Sequence, residues 1–464
     1  MTSHDPSASR PTIDVARIIE ARGLGWWAAR LVLVCWLVTF FDGYDMNLIG
    51  FAAPYLAPAL HLDEPMIRNI LTAGPLGLLL GGFVFGFIAD RIGRRATIVL
   101  ATALFGLLTL ALSLAIHYWQ FVALRFVNGI VLGGAIPLTW ALGSEYVAAR
   151  HRATMVTLIM LGYGLGVTAG GPISNALIPR FGWPSVFIFG GAASLLAALA
   201  LLIALPESLR FLTSSGRRPD LLAAAVRRLV PEKAIPVAAR FVLSDESLPP
   251  VSPRSIAVLF TGDLARITPL LWIGYIASSM TTFFLTSWGP IVFESLGFTR
   301  KAAALVSSSN SIGGMIGGLI LMRFTDRVGV ITLALFPLIA VPLLLVAGFG
   351  SMDHRAFVAL MLLLSVFLAG SHFGITSITG LFYPTAYRGL GTGWVSSMGK
   401  IGSAGGPFIG GIVLATSLPR QEIFAVMSVC PAVLCACMLA LGLLQRRAQR
   451  ALLPALANLE RTSP

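Results

Sequence analysis

Apolar residues run through this chain in blocks of about twenty, separated by short polar or basic punctuation. Twelve blocks can be marked, near 31–53, 66–89, 96–116, 118–142, 154–178, 183–205, 266–293, 301–323, 329–349, 356–380, 391–415 and 421–445. A helix needs about 20 such residues to cross a bilayer. The pattern therefore predicts an all-α membrane protein of twelve transmembrane helices. The series breaks once, at 206–265, where "SSGRRPD", "RRLVPEK" and "SDESLPPVSPR" mark a polar linker, with a helical stretch expected around 219–230. The expected organisation is a cytoplasmic segment at 1–30, a six-helix bundle at 31–205, the cytoplasmic linker, a second six-helix bundle at 266–445 and a cytoplasmic tail at 446–464.

Composition supports this and excludes a soluble protein. Of 464 residues 56% are hydrophobic and 11% charged, against about 25% charged in soluble domains. The net charge of +13 would suggest nucleic acid in a soluble chain, but the basic residues follow the loops. Of the 33 lysines and arginines, 25 fall on the side of the N-terminus, six on the other, and Arg125 and Lys400 lie inside apolar blocks. Leaving out the long linker, the balance is still 16 to six. Positive-inside orientation puts both termini in the cytoplasm, and topology alone accounts for the charge, with no nucleic-acid partner. Cys35, Cys430, Cys435 and Cys437 sit in apolar blocks without metal-ligand spacing and read as small hydrophobes. The first thirty residues are polar, and the first block is long enough to span rather than be cleaved as a secretory signal.

The two halves echo one another. "GFIADRIGRR" after the second block answers "MRFTDRVG" after the eighth, placing Asp90 and Asp326 236 residues apart. "GGPISNAL" answers "GGPFIGGI", with Pro172 and Pro407 offset by 235, and Arg152 and Arg388 are again 236 apart. Two similar six-helix halves related by an axis along the membrane normal describe a rocker-type secondary transporter.

The G-x-x-x-D-R-x-G-R-R run at Gly86–Arg95 resembles the helix 2–3 loop motif of the major facilitator superfamily, and the likeness extends over the whole chain. Within that superfamily, "DGYDMNLIGFAAP", "TIDVARIIEARGLGWW" and "LFYPTAYRGLGTGW" resemble the aromatic acid:proton symporter family. That resemblance implies a multi-pass protein of the bacterial inner membrane that imports a benzoate-type or hydroxybenzoate-type acid. It implies a monomer, with the proton as coupling ion and no other cofactor.

The charged residues inside the blocks carry the candidate chemistry. Asp42 and Asp45 are three apart and share one side of the first helix. Carboxyl groups at this depth face a bundle interior or a wet cavity. Mutual repulsion and burial both favour the neutral acid, which suits a group that loads and releases a proton. The competing reading is that one aspartate caps a helix broken at Gly43 or pairs permanently with a cation. Arg125 and Asp45 each lie about eight residues from the outer ends of their helices, roughly 12 Å deep, so they can meet, either as a fixed ion pair or as a coupling pair in which Arg125 is released, or captures the substrate carboxylate, when the aspartate is protonated. Lys400, the one intramembrane cation of the second half, is the candidate anchor for a carboxylate at the midplane, with snorkelling to an interface as the alternative. The related symporters more often carry arginine there. His372 is a weaker candidate, since a histidine changes charge near neutral pH but is more often a packing residue.

An aromatic acid also needs flat apolar walls. Phe41, Tyr44, Trp140, Tyr163, Phe284, Trp288 and Trp394 are candidates. Asp90, Arg91, Arg94, Arg95 and Asp326 form the candidate gating set at the loops, and by the family resemblance Glu145 pairs with Arg94, Arg152 or Arg388. The expected function is proton-coupled import of a small aromatic carboxylate by alternating access. An exporter is the alternative, since "GYGLGVTAGGP" partly resembles the helix-5 motif of drug antiporters. A membrane enzyme or sensor is disfavoured, since there is no nucleotide loop, metal-ligand run or appended signalling domain.

Overall fold

A computed structural model describes residues 12–20, 25–148, 151–215, 219–229, 240–242, 256–328, 330–379, 382–383, 388–416 and 418–462. A short strand, β1 (Thr12–Asp14), and a one-turn helix, α1 (Val15–Glu20), precede the membrane part. The first half comprises α2 (Trp26–Ala59), α3 (Glu64–Ile92), α4 (Arg94–Leu112), α5 (Tyr118–Glu145), α6 (Arg152–Phe181) and α7 (Pro184–Ala204). Two linker helices, α8 (Leu209–Ser215) and α9 (Pro219–Leu229), and strand β2 (Arg240–Val242) follow. The second half comprises α10 (Leu264–Ser295), α11 (Arg300–Val328), α12 (Leu335–Phe349), α13 (His354–Ile378), α14 (Arg388–Ala415) and α15 (Arg420–Thr462).

Eleven of the described helices are long and apolar enough to cross a membrane. The remaining long helix, α14, has 28 residues and reaches about 42 Å at 1.5 Å per residue. It is rich in glycine and carries Lys400. Several boundaries differ from the apolar blocks. The first helix begins at Trp26 and runs to Ala59, through Pro54 and Pro58. The last continues past 445 to Thr462. The ninth block opens with a 3-10 turn at Val330–Ala334 before α12.

The halves are built alike. In the first, α2 packs on α6, α3 on α5 and α4 on α7; in the second, α10 packs on α14, α11 on α13 and α12 on α15. Across the molecule α3 meets α14, α6 meets α11 and α2 meets α10. These pairs keep the repeat's symmetry, as the echoes in sequence require. Close approach comes from small residues at the crossings. Gly43 is one: a Cβ there would collide with the backbone of Tyr163 on α6.

The linker is folded onto the first half. Leu209, Leu212, Leu222 and Val226 join Val15, Ile19, Tyr146, Leu201 and Leu205 in one buried cluster. β1 pairs in parallel with β2, Thr12 opposite Arg240. This pair is the one departure from an all-α chain among the described residues, and it lies outside the membrane helices.

Candidate functional site

The helix carrying the two aspartates is continuous through Gly43, so a broken helix capped by an aspartate is ruled out. The glycine serves close packing against α6 instead. Asp45 and Arg125 do meet: Nη1 of Arg125 donates to Oδ2 of Asp45 at 2.5 Å. Both side chains are almost fully buried, 1% and 3% exposed. The guanidinium rests on α3 where Gly74 leaves room; a Cβ at Gly74 would stand 3.2 Å from Nη2. Three helices thus enclose this pair. Asp42, also buried, has an Oδ1 with no hydrogen-bond partner, as do Asp45 Oδ1 and Arg125 Nε. A buried polar atom without a partner costs about 1–3 kcal/mol, so this cluster of charged groups is not satisfied by protein atoms alone.

Asp42 lines a cavity of about 250 Å3 between the halves. Thr39, Asp42, Trp140 and Tyr163 line it from the first half. The second half contributes Tyr275, His372 and Lys400, with the hydroxyls of Ser279, Thr282 and Ser403. Lys400 points at the other half: its Nζ lies against α3 at Gly82, where a Cβ would stand 3.2 Å away. The ammonium is therefore held at the contact of the two halves, beside the cavity that Lys400 lines. His372 is oriented by Ser278, whose Oγ is 3.1 Å from Nδ1.

Five sequence candidates meet at this cavity: Asp42, Trp140, Tyr163, His372 and Lys400. The others do not line it. Phe41 stacks edge-on against Phe40 in the first-half core. The Tyr44 hydroxyl donates to the Val186 carbonyl at 3.1 Å. Phe284 is core, and the Trp288 indole N–H donates to the Pro407 carbonyl at 2.8 Å. Trp394 stacks on Trp272, centroids 5.9 Å apart. The reason is rotation: at 100° per residue, Phe41 and Tyr44 are turned well away from the face that presents Asp42. Sequence reading missed Tyr275, Phe283 and Phe373, all in the lining. A signal was there: Tyr275, Ser279 and Thr282 repeat at i, i+4 and i+7, a polar stripe in an apolar block.

Glu145 at the end of α5 pairs with Arg94 and accepts a hydrogen bond from Ser208 Oγ at 2.5 Å. The Arg95 amide donates to Glu207 Oε1 at 3.0 Å and its Nη2 to the Leu202 carbonyl at 2.6 Å. Arg91 lies over the Phe87 ring, 3.8 Å from its centre, and Asp90 is exposed beside it. The side chains of Arg152, Asp326 and Arg388 lie outside the described residues. These contacts all stay within the first half and its linker. At the opposite end the halves hold each other. Asn175 Nδ2 donates to the Lys301 carbonyl at 3.0 Å. Arg300 lies 4.7 Å from the Tyr55 ring centre and Arg68 5.3 Å from that of Phe408. Among the described residues no cluster of three or more potential metal ligands occurs.

The family model of the major facilitator superfamily matches residues 35–265 and 271–458. The chain is similar to the 4-hydroxybenzoate transporter PcaK of Acinetobacter baylyi, 31% identical over 90% of this chain and 92% of that protein. It is similar to the gallate transporter of Pseudomonas putida, 30% identical over 89% and 92%. It also resembles the 3-(3-hydroxy-phenyl)propionate transporter of Escherichia coli, 30% identical over 91% and 96%. Among solved structures, the xylose transporter XylE of E. coli in a partially occluded inward open conformation superposes with a TM-score of 0.66 at 17% identity, covering 89% of this chain and 98% of that one.

Proposed function

Because the chain belongs to the major facilitator superfamily, and so is a transporter rather than an enzyme, we propose that it imports a small aromatic carboxylate together with a proton. The observation that carries this reading is the shared cavity. A carboxyl from the first half, Asp42, and a cation from the second, Lys400, line the same cavity between the halves. The named relatives that carry 4-hydroxybenzoate, gallate and 3-(3-hydroxy-phenyl)propionate support an aromatic acid as the cargo.

In this mechanism Lys400 holds the carboxylate by a charge-assisted hydrogen bond. Tyr163, Trp140 and Tyr275 supply flat walls. A proton arriving at the aspartate pair competes with Arg125 for Asp45 or fills the open oxygen of Asp42. Either event loosens the tie between α2 and α5 and lowers the cost of rocking one half against the other. One proton with one monovalent anion carries no net charge, so the loaded cavity crosses the bilayer at lower electrostatic cost. The cross-half contacts at Tyr55, Asn175, Arg68, Arg300 and Phe408 seal the end away from the chain termini. With twelve spans and both termini in the cytoplasm, as the basic residues argue, that seal faces outward and the described state is inward-facing. We assign the chain to the bacterial inner membrane, working as a monomer and needing no cofactor beyond the proton.

The test is uptake of labelled benzoate, 4-hydroxybenzoate and aliphatic carboxylates into cells expressing the protein, with and without a protonophore. Accumulation of aromatic acids that collapses with the pH gradient is the expected result. Gradient-independent accumulation overturns proton coupling, outward flux overturns import, and no flux of any carboxylate overturns the substrate class.

A further inference from the structure

Tyr275 sits at the centre of the second-half wall with every part of it engaged. Its ring lies in a notch on α14 where Gly399 has no side chain, and a Cβ there would overlap the ring. Its hydroxyl is 3.1 Å from Thr376 Oγ1. Its other face leans on His372, ring centres 5.5 Å apart and tilted by 46°. Thr376 is fixed in turn by donating to the His372 carbonyl at 2.8 Å. The histidine's Nδ1 is taken by Ser278, and Ser278's own carbonyl accepts from Thr282 at 3.0 Å. With Nδ1 engaged, Nε2 is the ring nitrogen left for the cavity that His372 lines.

Geometry ties this group to Lys400. The notch residue, Gly399, immediately precedes the lysine in α14. A side chain seated over Gly399 therefore fixes how close α10 and α13 come to the helix that carries the cation. Tyr275 links the two ionisable nitrogen groups of this wall, the ammonium of Lys400 and the imidazole of His372.

We propose that Tyr275 is a positioning residue for substrate selectivity. It holds His372 at a set place relative to Lys400, so that a ring carrying a polar substituent away from its carboxylate is distinguished from a bare ring. This rests on the reading that an aromatic carboxylate occupies the cavity. A polar ring group meets Nε2 when the carboxylate is on Lys400, and a bare ring leaves that nitrogen without a partner. Loss of one such hydrogen bond changes relative affinity by about 2- to 12-fold. If Tyr275 slackens, the distinction fades.

The experiment uses the full chain in proteoliposomes with labelled benzoate and 4-hydroxybenzoate as the probes. Tyr275→Phe removes the bond to Thr376 and keeps the ring; Thr376→Val removes the same bond and leaves Tyr275 intact; Thr376→Ser keeps a hydroxyl. The ratio of KM values for the two acids should fall toward one, by about 3-fold or more, in Tyr275→Phe and in Thr376→Val, and return in Thr376→Ser. In a His372→Gln background Tyr275→Phe should give no further change in the ratio, because the two act through one contact. Equal changes in both KM values, or a ratio change in Tyr275→Phe that persists undiminished in the His372→Gln background, overturns the proposal. Wild-type protein that carries neither acid overturns the substrate reading, a separate outcome.

Discussion

The two halves share one packing plan and differ in their chemistry. The first half buries opposite charges against each other: Asp45 and Arg125 are paired inside three helices, with Asp42 beside them at the cavity edge. The second half brings one cation to the cavity, Lys400, and lines the space around it with hydroxyls, an imidazole and aromatic rings. A closed ion pair suits an internal switch, because changing it costs energy that the helices around it must absorb. An open cation with neutral donors suits a transient ligand, because nothing inside the protein has to be displaced first. We propose from this difference that energy coupling resides in the first half and ligand recognition in the second.

The sharpest way to break that division is Asp45→Asn. We expect proton-driven accumulation to fall by about 100-fold or more, with exchange of labelled for unlabelled acid retained. The substitution also leaves Arg125 buried without its counter-charge, a loss on the order of 3–5 kcal/mol, so the thermal midpoint should drop. Asp45→Asn with Arg125→Gln removes both charges; it should restore the midpoint and leave accumulation abolished. Full accumulation in the single variant would reject the coupling role of Asp45.

Next in size is Lys400→Ala. A hydrogen bond to a charged group contributes about 1.5–3 kcal/mol, or roughly 10- to 100-fold in affinity at 1.4 kcal/mol per decade. Binding of the anion should weaken by that factor, while the neutral amide analogue should change by less than about 2-fold. Equal losses for both would make the lysine a packing residue and remove the basis for placing recognition in the second half.

A third test separates the wall from its support. Trp288→Phe breaks the bond to the Pro407 carbonyl at a cost of about 1 kcal/mol and should lower the thermal midpoint by a few degrees. It should leave the selectivity ratio between benzoate and 4-hydroxybenzoate within about 2-fold, because Trp288 does not line the cavity. A large selectivity change would return this residue to the ligand.

What could be read from the sequence follows the strength of each physical signal. Eleven of the expected spans were legible because about twenty apolar residues in a row have few other uses, and the repeat was marked by Asp90 and Asp326. The meeting of Asp45 with Arg125 was legible from depth along two helices. Aromatic lining was not: Phe41, Tyr44, Trp288 and Trp394 look the same in sequence as Trp140 and Tyr163. What separates them is the rotation of each helix about its axis, which packing partners such as Gly43 against Tyr163 determine. The strand pairing of Thr12–Asp14 with Arg240–Val242 was equally hidden, since three-residue strands have no periodicity to detect.

The smallest expected effect concerns the place where the halves behave alike. Each lends one arginine to a ring of the other: Arg68 from α3 to Phe408 on α14, and Arg300 from α11 to Tyr55 on α2. The Arg300 side chain is 49% exposed, so solvent weakens the attraction, and each contact is worth about 0.5–1 kcal/mol. Removing one should shift the balance between outward-open and inward-open states by only about 2- to 5-fold, and removing both should multiply the two factors if they act independently. Arg300 also lies 3.4 Å from Glu294 on its own half, so Tyr55→Leu is the cleaner change on that side, since it leaves this ion pair in place. A cysteine introduced at Ser174, buried beside this seal, should label faster from outside in Phe408→Leu and Tyr55→Leu, and faster still in the double variant. Unchanged labelling in the double variant would mean that the seal is held by the helix backbones and the Asn175 bond, with the two arginines adding nothing to it.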